Sequence, residues 1–300
     1  MAVIIDGKAL SAKLRAQLKA DIENNLTSKG IQAPKLMVVL VGNDPASQIY
    51  VKNKVKACSD VGIISDTIIL PETTSQQTLD EVITKLNKDK TVNGILLQLP
   101  LPKHLDSKKT LNLISPEKDV DGLTNVNLGK LVNGDSTAIK SCTPSGVMEM
   151  LKEYNIPISG KRVAIINRTN LVGKPLSLLM TGADGTVTLC HSKTQNLKDI
   201  TLTSDIVVTA VGKKNFITAD MIKKGSTVID VAIVRDENGK VCGDVDFENV
   251  SKKASHITPV PGGCGPMTIT MLLKNTYDAT LAQNKNKVKT TSTDTSRFYK

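Results

Sequence analysis

The stretch KRVAIINRTNLVGKP, from Lys161 to Pro175, joins an apolar run to a turn and then to an amphipathic segment. The run KRVAIIN (161–167) predicts a buried strand, and Gly173 predicts the start of a helix. This junction lacks the G-x-G-x-x-G pattern, but backbone amides at a helix amino terminus can hold a phosphate. It therefore predicts a Rossmann-like unit with a nucleotide site, the alternative being a tight connection that needs one glycine.

Strand-like and helix-like stretches alternate along the chain on both sides of this junction. Examples on the amino-terminal side are LMVVLVG (36–42) and GILLQLPLP (94–102). Such alternation favours an α/β fold with parallel sheets, which bind ligands at the carboxyl ends of their strands. We expect two α/β units with a boundary near residues 140–150.

The residues that follow the next strand, TVTLCH, indicate which dinucleotide fits the unit. An acidic residue there would favour a free ribose 2′-hydroxyl. Ser192 and Lys193 stand there instead, and Arg168 lies at the earlier turn. One hydroxyl and two cations suit a 2′-phosphate, so the sequence predicts NADP rather than NAD.

A Tyr-x-x-x-Lys pair lies in ASQIYVKNKVKACSDVG, from Ala46 to Gly62. Tyr50 and Lys54 are four residues apart and share one face of a helix. A short-chain oxidoreductase would use Tyr50 as an acid, but in that family the dinucleotide fingerprint precedes the pair. At the rim of an apolar stripe Lys54 is partly desolvated and suited to act as a base; a solvated surface lysine is the alternative.

Three further stretches carry residues that ordinary connections do not need. Gln98 is a polar residue among leucines and needs hydrogen-bond partners. In KDVDG, Asp119 and Asp121 flank an apolar valine, so one of them is expected to point into a cleft. The loop PVPGGCGPMT is rich in glycine, which allows close approach of backbone to a ligand.

Composition excludes several classes of protein. The net charge is +10, of which residues 285–300 contribute +4 through four Lys, one Arg and one Asp. A basic protein whose tail binds nucleic acid is therefore a rival, but aromatic residues make up only 2%, which argues against base-stacking surfaces.

The cysteines, histidines and apolar runs indicate the compartment. Five scattered cysteines without a C-x-x-C pair, and three histidines, predict neither disulfides nor a metal site. The amino terminus has no signal-peptide pattern, and no run reaches the roughly 18–20 apolar residues of a membrane span. We expect a cytoplasmic protein that binds no membrane and no nucleic acid.

Taken together and in order, these stretches resemble one family. YVKNK, GILLQLPLP, KDVDG, CTPSG, NLVGKPL, CHSKT, TAVGK and PVPGGCGPMT are similar to the motifs of the bifunctional methylenetetrahydrofolate dehydrogenase/cyclohydrolase (FolD) family. The resemblance runs from about residue 3 to residue 284. It implies NADP-dependent oxidation of 5,10-methylenetetrahydrofolate, hydrolysis of the methenyl product to 10-formyltetrahydrofolate, and a role in one-carbon metabolism and purine biosynthesis.

The resemblance also implies roles for individual residues. Lys54 would be the central catalytic residue, Tyr50 would pack against the aminobenzoyl ring, Gln98 would orient Lys54, and Asp121 would hydrogen-bond the pterin. The implied substrate-binding residues are Tyr50, Lys54, Gln98, Leu99, Pro100, Asp121, Pro261, Gly262 and Gly263. The implied cofactor-binding residues are Asn167, Arg168, Thr169, Gly173, Ser192, Lys193 and Ile233.

The family's organisation gives expectations for this chain. A folate-binding catalytic domain would cover 1–143 and be completed by a returning helix at 266–284. An NADP-binding domain would cover 144–265, with a cleft between the two, and the tail 285–300 would be disordered. A homodimer is implied. Asn167 and Ala232 stand where the family usually has glycine, which leaves open whether they weaken NADP binding.

Overall fold

The computed structural model describes residues 1–293, apart from the side chains of Ala46 and of residues 286–293. The strands of this part of the chain are β1 (Val3–Ile4), β2 (Lys35–Val41), β3 (Ile64–Leu70), β4 (Gly94–Leu97), β5 (Arg162–Ile166), β6 (Thr186–Cys190), β7 (Ile206–Thr209), β8 (Thr227–Asp230), β9 (Val234–Arg235), β10 (Val241–Cys242) and β11 (His256–Ile257). The α-helices are α1 (Gly7–Asn25), α2 (Pro45–Val61), α3 (Gln76–Lys88), α4 (Ser107–Leu113), α5 (Asn125–Val132), α6 (Cys142–Glu153), α7 (Gly173–Thr181), α8 (Leu197–Leu202), α9 (Phe247–Val250) and α10 (Cys264–Thr293).

One compact unit comprises Met1–Leu14 and Leu128–Met271. Its parallel sheet has the strand order β1-β11-β8-β7-β5-β6. Strands β7 and β8 are buried along their whole length, as expected where helices cover both faces of a sheet. The strand order reverses at β5, because β6 and β7 pair with its opposite edges. Doubly wound sheets bind ligands beside such a point, at the carboxyl ends of the strands.

The other compact unit comprises Arg15–Asn127 and Leu272–Lys300. Its parallel sheet has the order β3-β2-β4, and the central strand β2 is buried from its second residue onward. The last part of α10 belongs to this unit. Gln283 donates hydrogen bonds from Nε2 to the carbonyl oxygens of Asn93 and Glu117, each at 2.9 Å, and Asn275 donates from Nδ2 to the Val120 carbonyl oxygen at 2.9 Å.

The α/β class, the parallel sheets and the Rossmann-like unit are confirmed, while the domain bounds 1–143 and 144–265 stay a prediction. The amino terminus joins the larger sheet because β1 pairs with β11, and the units divide again after Asn127. Helix α10 continues beyond 284 to Thr293, and the expected disorder of 285–300 stays a prediction. The rest of that tail, 294–300, lies outside the described residues.

A buried lysine holds the end of α3. Lys118 is 6% exposed, and its Nζ donates to the carbonyl oxygens of Leu86, Asn87 and Asp89 at 3.1, 2.8 and 2.7 Å. The last carbonyl groups of a helix lack partners within it, and a cation there also interacts favourably with the helix dipole. Lys118 is the first residue of the KDVDG segment. It therefore stabilises the end of α3 and holds this segment against it.

We expect Lys118→Met to lower the free energy of unfolding by about 3 kcal/mol, because buried carbonyl groups lose a charged donor. Lys88→Met is the matched control, since Lys88 lies at the same helix end but is exposed. The free energy of unfolding of both variants is measured by urea denaturation, with circular dichroism as the signal. Equal denaturation midpoints for the two would contradict a capping role for Lys118.

Within the residues that the structure describes, no helix combines the length and the apolar character needed to cross a membrane.

Candidate active site and nucleotide-binding turn

Tyr50 and Lys54 lie on one face of α2. Asp44 caps this helix, since its carboxylate accepts a hydrogen bond from the Ser47 amide at 2.8 Å and satisfies a free amide of the first turn. Side chains four residues apart are neighbours on a helix surface. Tyr50 is 40% exposed and Lys54 is half-buried, so a ligand can reach both side chains.

Lys54 contacts Gln98 directly. Its Nζ donates to Oε1 of Gln98 at 3.0 Å. Gln98 immediately follows β4 and is 8% exposed; its Nε2 donates to the Leu99 carbonyl oxygen at 2.7 Å, which turns the amide oxygen toward Lys54. The structure thus brings these two candidate residues together, while their catalytic roles stay predictions. Leu99 and Pro100 come next in the chain, half-buried and exposed respectively.

The two aspartates of KDVDG differ in their surroundings. Asp119 is 1% exposed, and its carboxylate accepts hydrogen bonds from the Leu123 and Thr124 amides at 3.1 and 2.9 Å and from Nδ2 of Asn127 at 2.9 Å. Burial nonetheless raises the pKa of Asp119. Asp121 is half-buried, and its carboxylate forms no hydrogen bond or ion pair among the described residues. Asp119 therefore holds a turn, and Asp121 is the one available to a ligand.

The side chain of Asn167 organises the turn between β5 and α7. Its Oδ1 accepts hydrogen bonds from the amide of Thr169 at 2.9 Å, from the hydroxyl of Thr169 at 2.8 Å and from the amide of Gly173 at 3.0 Å. Its Nδ2 donates to the Ala210 carbonyl oxygen at 2.7 Å. Asn167, which stands where the family usually has glycine, thus stabilises the turn through its side chain. Arg168 lies between these residues and is exposed.

Ser192 and Lys193 lie at the same edge of the sheet as this turn. Strands β5 and β6 are parallel, with Ile166 opposite Cys190, so the residues that follow both strands meet at one edge. The turn after β6 is closed by hydrogen bonds between the main chain of His191 and Thr194. Ser192 and Lys193 are exposed, and their contact with a cofactor phosphate stays a prediction.

The PGGCGP loop lines a cavity of 180 Å³ together with the segment after β8. The cavity wall contains Ile233, which is 49% exposed, and the substrate-binding candidates Pro261, Gly262 and Gly263. The amino terminus of α1 packs against this loop. A Cβ atom at Gly7 would lie 2.0 Å from the Gly263 carbonyl oxygen, so only glycine fits there.

Two buried carboxylates beside this cavity did not follow from the sequence. Asp244 accepts hydrogen bonds from three successive amides, those of Val211, Gly212 and Lys213, at 2.6–2.8 Å, and from the hydroxyl of Thr209 at 2.7 Å. It thereby fixes the turn at the carboxyl end of β7. In the sequence, the signal that could have indicated Asp244 is Gly243, the glycine directly before it.

Asp230, the last residue of β8, shapes the neighbouring turn. Its carboxylate accepts hydrogen bonds from the amides of Ala232 at 3.0 Å and Val245 at 2.9 Å. Burial raises the pKa of Asp230 to about 6, and the negative charge of Asp244 adds to the rise. A Cβ atom at Gly243 would lie 2.0 Å from Oδ2 of Asp230, which explains why glycine stands there.

The candidate residues fall into two groups. Tyr50, Lys54, Gln98, Leu99, Pro100 and Asp121 belong to the unit with the three-stranded sheet; Asn167, Arg168, Thr169, Gly173, Ser192, Lys193, Ile233, Pro261, Gly262 and Gly263 belong to the other. Among the described residues, no group of three or more His, Cys, Asp or Glu side chains could hold a metal ion.

Two family models match most of the chain. Residues 5–121 match the tetrahydrofolate dehydrogenase/cyclohydrolase catalytic domain, and residues 141–284 match the NAD(P)-binding domain of the same family. The bifunctional protein FolD of Burkholderia lata is 54% identical over 93% of this chain and 96% of that protein.

Solved structures show the same fold. The bifunctional FolD methylenetetrahydrofolate dehydrogenase/cyclohydrolase of Campylobacter jejuni is 47% identical with a TM-score of 0.92, covering 94% of this chain and 100% of that one. The corresponding enzyme of Trypanosoma brucei, solved with NADP cofactor and inhibitor, is 37% identical with a TM-score of 0.89, covering 94% and 98%. The chain therefore belongs to the tetrahydrofolate dehydrogenase/cyclohydrolase family.

Proposed function

We propose that this chain oxidises 5,10-methylenetetrahydrofolate with NADP⁺ and then hydrolyses the 5,10-methenyl product to 10-formyltetrahydrofolate. The observation that carries the proposal is the contact between Lys54 Nζ and Gln98 Oε1 at 3.0 Å. This contact gives an accessible lysine a fixed orientation on the helix that also presents Tyr50. Family membership supplies the substrate class.

A short-chain oxidoreductase with Tyr50 as its acid is not favoured. That chemistry requires the lysine to act on the tyrosine hydroxyl. Among the described residues, Nζ of Lys54 forms a hydrogen bond with Gln98 and none with Tyr50. The nucleotide-binding turn, as we name the turn between β5 and α7, also follows Tyr50 and Lys54 by more than a hundred residues. In short-chain oxidoreductases the order is the reverse.

The residues at the carboxyl edge of the larger sheet fit NADP. Arg168, Ser192 and Lys193 offer two cations and a hydroxyl, and no carboxylate stands in the turns 167–169 and 191–194. When bound, NADP⁺ supplies the acceptor for the hydride that leaves the methylene carbon. Gly262 and Gly263 carry no side chains, so backbone at the 180 Å³ cavity can approach a ligand closely.

Lys54 acts in the hydrolytic step. In that step the oxygen of a water molecule bonds to the methenyl carbon, and the bond from this carbon to N5 of the folate breaks. Lys54 takes one proton from the water and passes it to the departing nitrogen, and the second proton of the water leaves to the solvent as the formyl carbonyl forms, which accounts for the positive charge of the methenyl group. Gln98 orients the lysine, and Asp121 binds the pterin ring. The oxidative step needs alignment more than proton transfer, since the ring nitrogens stabilise the cationic product.

Charge reversal beside the nucleotide turn tests the choice of cofactor. We expect Ser192→Asp with Lys193→Glu to raise the KM for NADP⁺ on the order of tenfold more than the KM for NAD⁺, because two carboxylates would face the 2′-phosphate. Ser159→Asp with Lys152→Glu makes the same change of charge elsewhere on this unit and serves as the control. Equal losses with both cofactors would show that Ser192 and Lys193 do not contact the 2′-phosphate.

The assembly and location of the enzyme extend the proposal. Family resemblance supports a homodimer, which analytical ultracentrifugation would detect as a species of twice the chain mass. The free cysteines suit a reducing compartment and support a cytoplasmic location. The 10-formyl product is a one-carbon donor, which supports a supply role in purine biosynthesis.

A direct assay tests the proposed function. Purified protein is mixed with 5,10-methylenetetrahydrofolate and NADP⁺, and NADPH and 10-formyltetrahydrofolate are quantified separately. We expect the two products in equal amounts. NADPH without the 10-formyl product, or neither product from folded protein, would contradict the bifunctional proposal.

A further inference from the structure

A second cavity lies at the opposite edge of the larger sheet from the nucleotide-binding turn. It has a volume of 300 Å³, which is within the size range of small-molecule sites. Its wall contains the first residues of three strands, Ile206 of β7, Thr227 of β8 and His256 of β11. Nothing in the proposed reaction uses this amino edge of the sheet.

The cavity wall carries more positive than negative charge. Three lysines line it, Lys161 from the turn before β5 and Lys223 and Lys224 from the turn before β8, against one carboxylate, Asp205. Lys223 Nζ bonds to Oδ1 of Asp205 at 2.6 Å, and the Arg162 amide donates to Oδ2 at 3.0 Å. These interactions lower the pKa of Asp205, so the carboxylate is ionised and already occupied.

Two lysine charges therefore remain uncompensated. Among the described residues, no carboxylate forms an ion pair with Lys161 or Lys224. These two lysines come from different loops, yet both line the same cavity. A dianion placed between them would balance their charge.

Neutral hydrogen-bonding groups complete the wall. Ser226 is 2% exposed, and its hydroxyl oxygen is buried without a hydrogen-bond partner, which costs free energy. Ser255 and His256 also line the cavity, with the serine hydroxyl 3.0 Å from Nδ1 of the histidine. The Ser255 hydroxyl also donates to the Ser226 carbonyl oxygen at 3.3 Å, so a ligand with several acceptor oxygens would engage the lysines and the His256 imidazole.

We propose that this cavity binds a phosphate group, either as the free ion or carried by a small phosphorylated molecule. The dianionic charge matches the two uncompensated lysines, and the His256 imidazole in the same wall offers a further hydrogen-bonding group. The site is separate from the binding of NADP, because it lies at the amino ends of the strands and the nucleotide-binding turn lies at their carboxyl ends.

Nuclear magnetic resonance titration tests the proposal. Inorganic phosphate and glycerol 3-phosphate are added separately to the full chain at constant ionic strength, with saturating NADP⁺ present to occupy its own phosphate sites. We expect saturable shifts of the Gly225 and Ser226 amides and of the His256 imidazole. Tighter binding of glycerol 3-phosphate identifies a phosphorylated molecule as the ligand, and equal binding identifies the free ion.

Variants separate a built site from a generally basic surface. We expect Lys161→Gln with Lys224→Gln to raise the phosphate dissociation constant at least about tenfold, whereas Lys152→Gln with Lys240→Gln, on exposed lysines elsewhere in the unit, leaves it unchanged. Shifts that do not saturate, or equal weakening by both lysine pairs, would overturn the proposal.

Discussion

A Lys54→Met variant should lose cyclohydrolase activity by a factor of about 10²–10⁴, the contribution typical of a positioned acid–base group, while NADP⁺-dependent oxidation remains measurable. Methionine is unbranched and of similar length, so it keeps the packing along α2 but can carry no proton. The hydrolytic step needs a proton taken from water and one returned to the leaving nitrogen. The oxidative step needs alignment, which Tyr50 and Asp121 still provide.

The experiment measures decay of 5,10-methenyltetrahydrofolate without cofactor and, separately, the rate of NADPH formation. Lys56→Met is the matched control, because Lys56 is exposed on the same helix but two residues along and hence on another face. The Lys54 change also leaves the buried oxygen of Gln98 without its donor, which costs about 1–3 kcal/mol of stability, so both assays are run well below the unfolding temperature. Undiminished hydrolysis in Lys54→Met would remove Lys54 from the catalytic role.

A Gly173→Ala variant should show the reverse pattern, with oxidation lost and hydrolysis kept. A Cβ atom at Gly173 would lie 1.9 Å from the carbonyl oxygen of Asn167 and 2.9 Å from the amide nitrogen of Arg168, whereas real Cβ contacts are essentially never shorter than 3.0 Å. The turn that carries the cofactor-binding candidates must therefore shift by roughly 1 Å, and a displacement of that size can reduce a rate on the order of 10²-fold. Lys54 and Gln98 belong to the other compact unit and keep their contact.

Gly129→Ala is the control for this substitution. Gly129 lies within α5, and a Cβ atom there meets nothing within 4 Å. That variant should keep both activities and gain up to about 1 kcal/mol of stability, because alanine restricts the unfolded chain. Overpacking at Gly173 costs about 1–3 kcal/mol, so thermal midpoints are recorded beside the kinetics. Normal NADP⁺ kinetics in Gly173→Ala would contradict the assigned importance of this turn.

The parts of the fold that followed from the sequence are those encoded by local patterns. Apolar runs such as LMVVLVG form central parallel strands, and the strand-turn-helix junction at Gly173 forms as expected. The contact between Lys54 and Gln98 agrees with what the family resemblance implies, whereas the residues alone predicted only that the amide of Gln98 needs partners. The pairing of β1 with β11 did not follow from the sequence, because β1 is only two residues long, too short for a periodic signal.

Residues whose role depends on distant partners could not be assigned from the sequence. The pattern KDVDG left open which aspartate faces a ligand; only the amides of Leu123 and Thr124 show that Asp119 is used internally. Asn167 looked like an obstacle to the cofactor, yet its side chain closes the turn. Lys118 and Asp244 act on backbone groups far along the chain, which no local pattern reveals.

The most direct test of the central claim follows the methylene carbon through both steps. 5,10-Methylenetetrahydrofolate carrying two deuterium atoms on that carbon is incubated with the protein and NADP⁺, and the products are examined by mass spectrometry. Hydride transfer followed by hydrolysis predicts one deuterium in each NADPH molecule and one in each formyl group. Loss of deuterium to the solvent, or a product that keeps both deuterium atoms, would contradict the claim that one chain performs the two reactions in sequence.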